Sequence, residues 1–370
     1  MTSIREATAA ELADWDEGAV DAPGGHVYQS LAWAEHRVAA GWTAEHLRFE
    51  DGFRALALLR PFDVVGGASA YLPRGPISAG QPVELTAERL GAIVDHLAEA
   101  EVAVVASDAE IPVATGYGER LASLGFSPIE EIQPSRHRIS LALAGRAADE
   151  VFGGIAKSTR QRIRKAEKDG IIVVRHDGRI ASAGVGEGFT ARAEPTEIAL
   201  DRFYSLLLET GERLQFSFGP REAFLAWWRA AHRAGHLILL EARTGDDQVQ
   251  AGLVLYRHGD RLSTVHSGDH ADARRDHPGA LHLLRWRAIE LAIREGRAEM
   301  DLGGVDVAGA RREPTEKEPM WGLYQHKRSF GGEWLELTGA HERVLDANRY
   351  RMGRLASRAS RLLGRGRGRR

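Results

Sequence analysis

The chain contains no cysteine, which excludes disulfides, thiolate nucleophiles and Cys-ligated zinc together and fits a reducing compartment. It also lacks any run of 18 apolar residues, so no membrane-spanning helix is expected. Met1 to Glu17 alternates charged and apolar residues and has no apolar centre of signal-peptide length. These absences predict a soluble, cytoplasmic protein. Net charge is nearly absent as well, at −3, but it is unevenly placed. From His341 to Arg370 ten arginines face only Glu342 and Asp346, which makes +8; subtracting that from −3 leaves −11 for the rest. A mildly acidic body with a basic tail points to an anionic partner met at one place.

At 370 residues the chain is long enough for two domains, each with a core of its own. In the first third, Ser30 to Ala40 reads as a helix and Phe53 to Pro61 as a strand. Leu85 to Ala100 reads as an amphipathic helix, Glu101 to Ala106 as a buried strand, and Arg138 to Leu143 as the strand that closes the first domain. A basic helix, Ala156 to Asp169, opens the second, followed by a strand at Ile171 to Arg175 and a Gly/Ala-rich loop from Gly178 to Pro195. Helices are expected at Thr196 to Glu209, Arg221 to Ala234 and Gly279 to Glu295, with strands at His236 to Ala242, at Gln250 to Tyr256 and into Asp301. The order predicts an α/β (α+β) protein with mixed sheets. Trp227, Trp228 and Trp286 fall in apolar helical patterns and are expected in the core.

Twelve residues carry the densest signal: Gly322-Leu-Tyr-Gln-His326-Lys327-Arg-Ser-Phe330-Gly331-Gly332-Glu333. They set one lysine among aromatic residues before a double glycine, where backbone can approach a ligand and an ammonium can meet developing negative charge. Other segments accompany them in order: Tyr71-Leu-Pro-Arg74-Gly75-Pro76-Ile77, Arg160 to Gly170, Glu209-Thr-Gly-Glu-Arg213, and Asp301-Leu-Gly303-Gly304. Together, over about Tyr28 to Ala340, they resemble the FemABX peptidyltransferases, which move amino acids from aminoacyl-tRNA to the stem peptide of a peptidoglycan precursor. The resemblance implies two acetyltransferase-like (GNAT) domains: 1–148, joined again by about 332–345, and 149–331, with 346–370 as a basic tail. No segment supplies the long helical arm of some family members.

The same resemblance implies roles for particular residues. Lys327 matches the lysine that holds the reacting carbonyl, and an amine attacking an aminoacyl ester needs no covalent enzyme intermediate. His326 stands where the family usually has phenylalanine; it can stack in that ring's place or carry protons near neutral pH. Asp108 is either the acceptor of the amine proton or a turn-capping carboxylate. Asp301 is expected to be structural, orienting a substrate group. Arg37 and Arg213 match contacts to the precursor's diphosphate, and Arg74, in a stiff turn, either joins them or clamps nearby carbonyls.

The cations Lys157, Arg160, Arg162, Arg164, Lys165 and Lys168 form either a solvated helix face or a contact for the tRNA acceptor stem. His232/His236 and His266/His270 have metal-like spacing, but neither pair falls plainly on one helical face, and no metal or cofactor is expected. An Arg-rich helical tail, with Leu345, Met352, Leu355, Ala359 and Leu362 on one stripe, is expected to touch anionic membrane or to be a solvated extension. Two other functions stay open. Arg275 to Ala280 weakly matches an acyl-CoA pyrophosphate loop, giving an acyl-CoA-dependent N-acyltransferase; a non-catalytic RNA- or membrane-binding scaffold is the other.

Overall fold

The structure of the protein is a computed structural model that describes residues 3–62, 65–134, 136–180, 186–190, 192–214, 218–305, 307 and 312–356. Two compact units divide the chain: Met1–Arg136 with Glu336–Arg370, and His137–Leu335. Each is built on a seven-stranded mixed sheet.

In the first unit the strands are β1 (Ile4–Glu6), β2 (Thr43–Phe49), β3 (Arg54–Pro61), β4 (Ala68–Leu72), β5 (Val102–Ser107), β6 (Ser127–Pro128) and the returning β14 (His341–Val344). Their order is β1-β2-β3-β4-β5-β14-β6. β4 and β5 run parallel and the other pairs antiparallel. The nearly continuous apolar run of β5 marks a central strand buried on both faces. Against the sheet packs the helix Val83–Glu99, whose Leu90, Ile93, Val94 and Leu97 form one fully buried stripe at helical spacing. Each such side chain contributes roughly 1.5–3 kcal/mol.

The second unit contains β7 (His137–Ala142), β8 (Ile172–Asp177), β9 (Leu237–Arg243), β10 (Val249–His258), β11 (Arg261–Asp269), β12 (Glu299–Asp301) and β13 (Glu333–Glu336), in the order β13-β7-β12-β11-β10-β9-β8. β7 therefore does not close the first domain: it pairs antiparallel with β12, placing Ser140 opposite Asp301. An apolar, alternating strand shows that it will pair, not with which sheet. The helix Ala280–Arg294 fills the sheet face with Leu283, Leu284, Ala288 and Ile289, and Trp227, Trp228 and Trp286 are buried as expected. The helix Lys157–Lys168 buries only Thr159, Ile163 and Ala166 and turns its cations outward. Of the predicted loop, 181–185 and 191 lie outside the described residues; Thr190 bridges Val174 of β8.

Seven strands, β1, β2, β4, β6, β11, β13 and β14, have no counterpart in the sequence reading, and the longest of these are β2, β4 and β11. In those three, small and polar residues such as Glu45-His46, Ser69 and His266-Ser267 interrupt the apolar ones, so neither regular alternation nor a continuous apolar run emerges.

Candidate functional site

In the first unit, the segment Tyr71 to Ile77 is a turn assembled around one carboxylate. Asp108 follows the last residue of β5 and is 1% exposed. Its Oδ1 accepts from the Arg74 amide at 2.6 Å and its Oδ2 from the Tyr71 hydroxyl at 2.9 Å. Arg74 has φ 53°, a left-handed conformation costly for a side-chain-bearing residue, and the bond to Asp108 holds it there. The Arg74 guanidinium is buried within 3.7 Å of Asp108 and 3.6 Å of Glu110, and it donates to the Pro134 carbonyl at 2.9 Å. Gly75 is required: a Cβ there would meet the amide of Gln29 at 2.7 Å. That amide in turn bonds Pro73 O and Leu56 N.

Burial raises the Asp108 pKa above the usual carboxylate range, against the opposing pull of Arg74. Its greater basicity favours proton uptake, while both oxygens already accept hydrogen bonds from the protein. Arg74 thus combines an ion-paired guanidinium with a clamp on one carbonyl. Tyr71, Glu110 and Gln29 were missed as members of this cluster; only Tyr71 lay inside a motif.

Elsewhere in this unit Arg37 lies on the helix Leu31–Ala39, its guanidinium 5.5 Å from the Trp33 ring and 4.9 Å from that of Trp42. Trp33 stacks on Tyr28 at 4.2 Å. Burial pulls the Arg37 pKa down, and its Nε makes no hydrogen bond among the described residues. Arg60, 5.7 Å from the Trp42 ring, adds a second cation there.

Lys327 belongs to the second unit. It lies on the helix Trp321–Arg328 and is 7% exposed, and its Nζ donates to the Gly304 carbonyl at 2.6 Å. Asp301 ends β12 and its Oδ1 accepts from the Gly303 amide at 2.7 Å, closing a tight turn. Gly303 has φ 78°, and a Cβ on it would sit 2.9 Å from Lys327 Nζ and 2.9 Å from the Thr264 carbonyl. The Asp-Leu-Gly-Gly segment is therefore the seat of the lysine, with Asp301 as its fastening. The later glycine pair has another cause. Gly332 packs where a Cβ would strike Ile139 at 2.7 Å and Leu302 at 3.0 Å, so its smallness serves strand packing, not close approach of a ligand.

His326 accepts at Nε2 from Arg285 Nε at 2.9 Å and meets His282 and Phe330 edge-on. Burial, then the cations Arg285, Lys327 and Arg162 together with His282, drive its pKa to about 2. A shift in that direction favours a neutral ring at physiological pH, in keeping with stacking in the phenylalanine's place.

Arg213 faces Asp269, pairing with its carboxylate and donating to its carbonyl at 3.1 Å. Thr210 accepts the Asp269 amide at 3.2 Å, and Glu209 accepts the Ala271 amide at 3.1 Å and bonds His270 at 2.7 Å. The Glu209 to Arg213 motif thus clasps the end of β11. Asp272, Asp276 and His277 join Glu209 and His270 around an open groove of about 620 Å³. A second groove, about 780 Å³, runs beside the Lys327 helix and is lined by Trp321, Tyr324, Gln325, Arg328 and Ser158.

Neither histidine pair gathers a metal ligand set among the described residues. His266 is enclosed by Phe218, Phe224 and Trp228, and burial lowers its pKa to about 4. His176, Glu194 and Glu241 do converge within 4.8 Å, but Arg202 and Arg243 hydrogen-bond both carboxylates. Two acids matched by two guanidiniums leave little charge for a cation.

The tail is described only to residue 356, and its remaining residues, Ala359 and Leu362 included, lie outside the described residues. Leu345 is not part of a tail stripe, because it packs against the first core and its amide bonds Ala103. Met352 and Leu355 are 47% and 65% exposed.

The acetyltransferase (GNAT) domain family matches residues 155–328. The fold is similar to that of FemX, at TM-score 0.76 and 18% identity, covering 95% of this chain and 99% of that one. L-PGS from Bacillus licheniformis is similar at TM-score 0.51 and 13% identity, with 98% of each chain covered. So is a conserved protein of unknown function from Bacteroides thetaiotaomicron, at TM-score 0.55 and 11% identity, covering 92% of this chain and 99% of that one. At these identities the likeness is one of fold. No curated protein matches by sequence.

Proposed function

We propose that this chain is an acyltransferase of the Fem type, moving an amino acid from aminoacyl-tRNA to the stem-peptide amine of a peptidoglycan precursor. The observation that carries the reading is Lys327: a nearly buried ammonium seated at a strand-end turn, 2.6 Å from a carbonyl oxygen. In the reaction the amine nitrogen attacks the ester carbonyl, the C–N bond forms, the C–O bond to ribose breaks, and the ribose hydroxyl takes a proton as it leaves. Negative charge gathers on the carbonyl oxygen between these steps, and a fixed cation in a dry site stabilises it. Arg37, beside its aromatic flank, and Arg213, after exchanging Asp269 for phosphate, each offer a contact for a phosphate group in their own unit. Asp108 holds Arg74 and Tyr71 in place. The outward cations of the Lys157–Lys168 helix supply phosphate contacts for the donor RNA. FemX, alike over nearly the full length, supports this choice of donor.

A second reading is an acyl-CoA-dependent N-acyltransferase, favoured by the acetyltransferase domain match over 155–328. The test offers purified protein each donor, aminoacyl-tRNA or acyl-CoA, with lipid-linked and UDP-linked precursors, and follows acceptor mass. Transfer from RNA alone supports the first reading; transfer from the thioester alone replaces it with the second. No transfer from either donor refutes both and leaves a binding scaffold. No helix among the described residues is long and apolar enough to cross a membrane.

A further inference from the structure

The last described helix, 347–356, is fastened to the first unit along one face. Asp346 caps its start, Oδ1 accepting from the amides of Asn348 and Arg349 at 3.0 Å each. The Tyr350 hydroxyl meets both carboxylate oxygens of Glu342 on β14, at 2.9 and 2.8 Å. Arg349 pairs with Glu101, just before β5, at 3.2 Å. Gly353 lies so close to the Phe62 ring that a Cβ would stand 2.6 Å from it. Arg349, Tyr350 and Gly353 thus form the inner face, and helical spacing turns Arg351, Met352, Arg354 and Leu355 away from it, where all four are exposed.

The same end of the sheet carries a second group. Phe62 follows β3, and Arg60, two residues earlier, is exposed with its guanidinium 5.7 Å from the Trp42 ring. The register sets Thr43 against Leu59, which puts Trp42 opposite Arg60 at the start of β2. Val38, at the end of the helix Leu31–Ala39, is half exposed. Arg60, Arg351 and Arg354 pair with no carboxylate among the described residues: Arg351 bonds the Ala347 carbonyl and Asn348, and Arg354 the Tyr350 hydroxyl. The nearby acids Glu101 and Asp346 are answered by Arg349. A nucleic acid would use these arginines but gain little from Met352 and Leu355, since phosphate contacts need charge alone. A bilayer surface uses both, because apolar side chains enter the headgroup boundary while guanidiniums stay among the lipid phosphates. Beyond residue 356 the sequence adds six arginines and no acidic residue, which extends the charge complementary to anionic lipid.

We propose that this end of the first unit, the outward face of the helix 347–356 together with Arg60 and Trp42, docks on an anionic lipid bilayer. Met352 and Leu355 enter it, Arg351, Arg354 and Arg60 contact lipid phosphates, and Trp42 lies at the interface. The contact is a folded surface fixed to the sheet, to which the Arg-rich tail adds charge. The inference does not depend on the acyltransferase reading.

The experiment follows co-sedimentation of the full chain with vesicles of phosphatidylglycerol and phosphatidylcholine, with phosphatidylcholine alone as the neutral arm and binding to a short RNA duplex measured in parallel. Met352→Gln combined with Leu355→Gln is expected to lower partition to the anionic vesicles by about tenfold, an effect that persists in high salt. Arg351→Gln combined with Arg354→Gln, and Arg60→Gln alone, are expected to lower it by about fivefold per arginine, an effect that shrinks in high salt. All five side chains are exposed, so the variants should fold as wild type does, which circular dichroism checks. Because the chain has no cysteine, Leu355→Cys and Ala114→Cys each accept one environment-sensitive fluorophore. Anionic vesicles should shift the emission at 355 and leave that at 114, exposed beyond the other end of β5, unchanged. The surface is overturned if wild type does not bind anionic vesicles, if emission at 355 does not shift, or if binding survives every substitution and is lost only on deleting 357–370. Arginine effects seen with RNA and not with vesicles overturn it in favour of a nucleic-acid partner.

Discussion

Replacing Lys327 by methionine keeps most of the side chain's length and removes one positive charge from a nearly dry position. In the ground state the ammonium is bonded to the Gly304 carbonyl at 2.6 Å, so the substitution removes one charged hydrogen bond, about 1.5–3 kcal/mol of stability. If the same ammonium carries the oxyanion, transfer falls further, by about 10²–10³, equivalent to about 2.7–4 kcal/mol in the transition state. The two effects separate when turnover is measured well below the melting temperature with folding followed by circular dichroism. Gly303→Ala supplies the control: its Cβ would press on Nζ at 2.9 Å and on the Thr264 carbonyl, and φ 78° is strained for alanine. It retains the lysine but displaces its head, so turnover should fall although the charge remains. Lys327→Arg should rescue poorly, because a planar fork does not fit over the turn that holds a point charge. If Lys327→Met turns over within about threefold of wild type, the lysine is only a fastener of the Asp301–Gly304 turn and the chemistry lies elsewhere.

Asp108→Asn leaves one acceptor where two hydrogen bonds and a guanidinium now meet, so the melting temperature should fall; an unchanged value would refute the turn-organising role of Asp108. Arg37→Ala and Arg213→Ala should each weaken a diphosphate-bearing acceptor by about 1.5–3 kcal/mol and spare one lacking the diphosphate; equal losses on both would exclude phosphate recognition. Acid should unfold the second unit in two stages. Burial lowers the His266 pKa to about 4, so stability is complete above its ordinary 6.5 and is lost as pH falls from there to about 4. Arg202 hydrogen bonds hold Glu194 at about 2, so its contribution is present above 4.5 and is lost between 4.5 and about 2. Urea titrations at stepped pH should show Glu194→Gln flattening only the lower stage, and an unaltered slope there would count against the assignment. Deleting 349–370 should lower binding to anionic vesicles, less so in high salt, and spare turnover on a soluble precursor analogue; unchanged vesicle binding would exclude the membrane contact.

The sequence by itself determined what depends on neighbours along the chain. The apolar stripe of Val83–Glu99 and the unbroken run Val102–Val105 announce their elements because burial selects residues at fixed spacing. The ordered motifs carried the tandem acetyltransferase-like architecture and pointed to Lys327, Asp301 and Arg74. Partnership was decided only in three dimensions. Which sheet receives Arg138–Leu141 depends on the pairing with Glu299–Asp301, more than 150 positions away. The same holds for the carboxylate that fixes Arg74, since Asp108 reaches it only because β4 and β5 lie side by side. The charge state of His326 was equally out of reach, because a histidine's pKa is set by desolvation and by cations such as Arg285, 41 positions distant, and neither is written in its flanking residues.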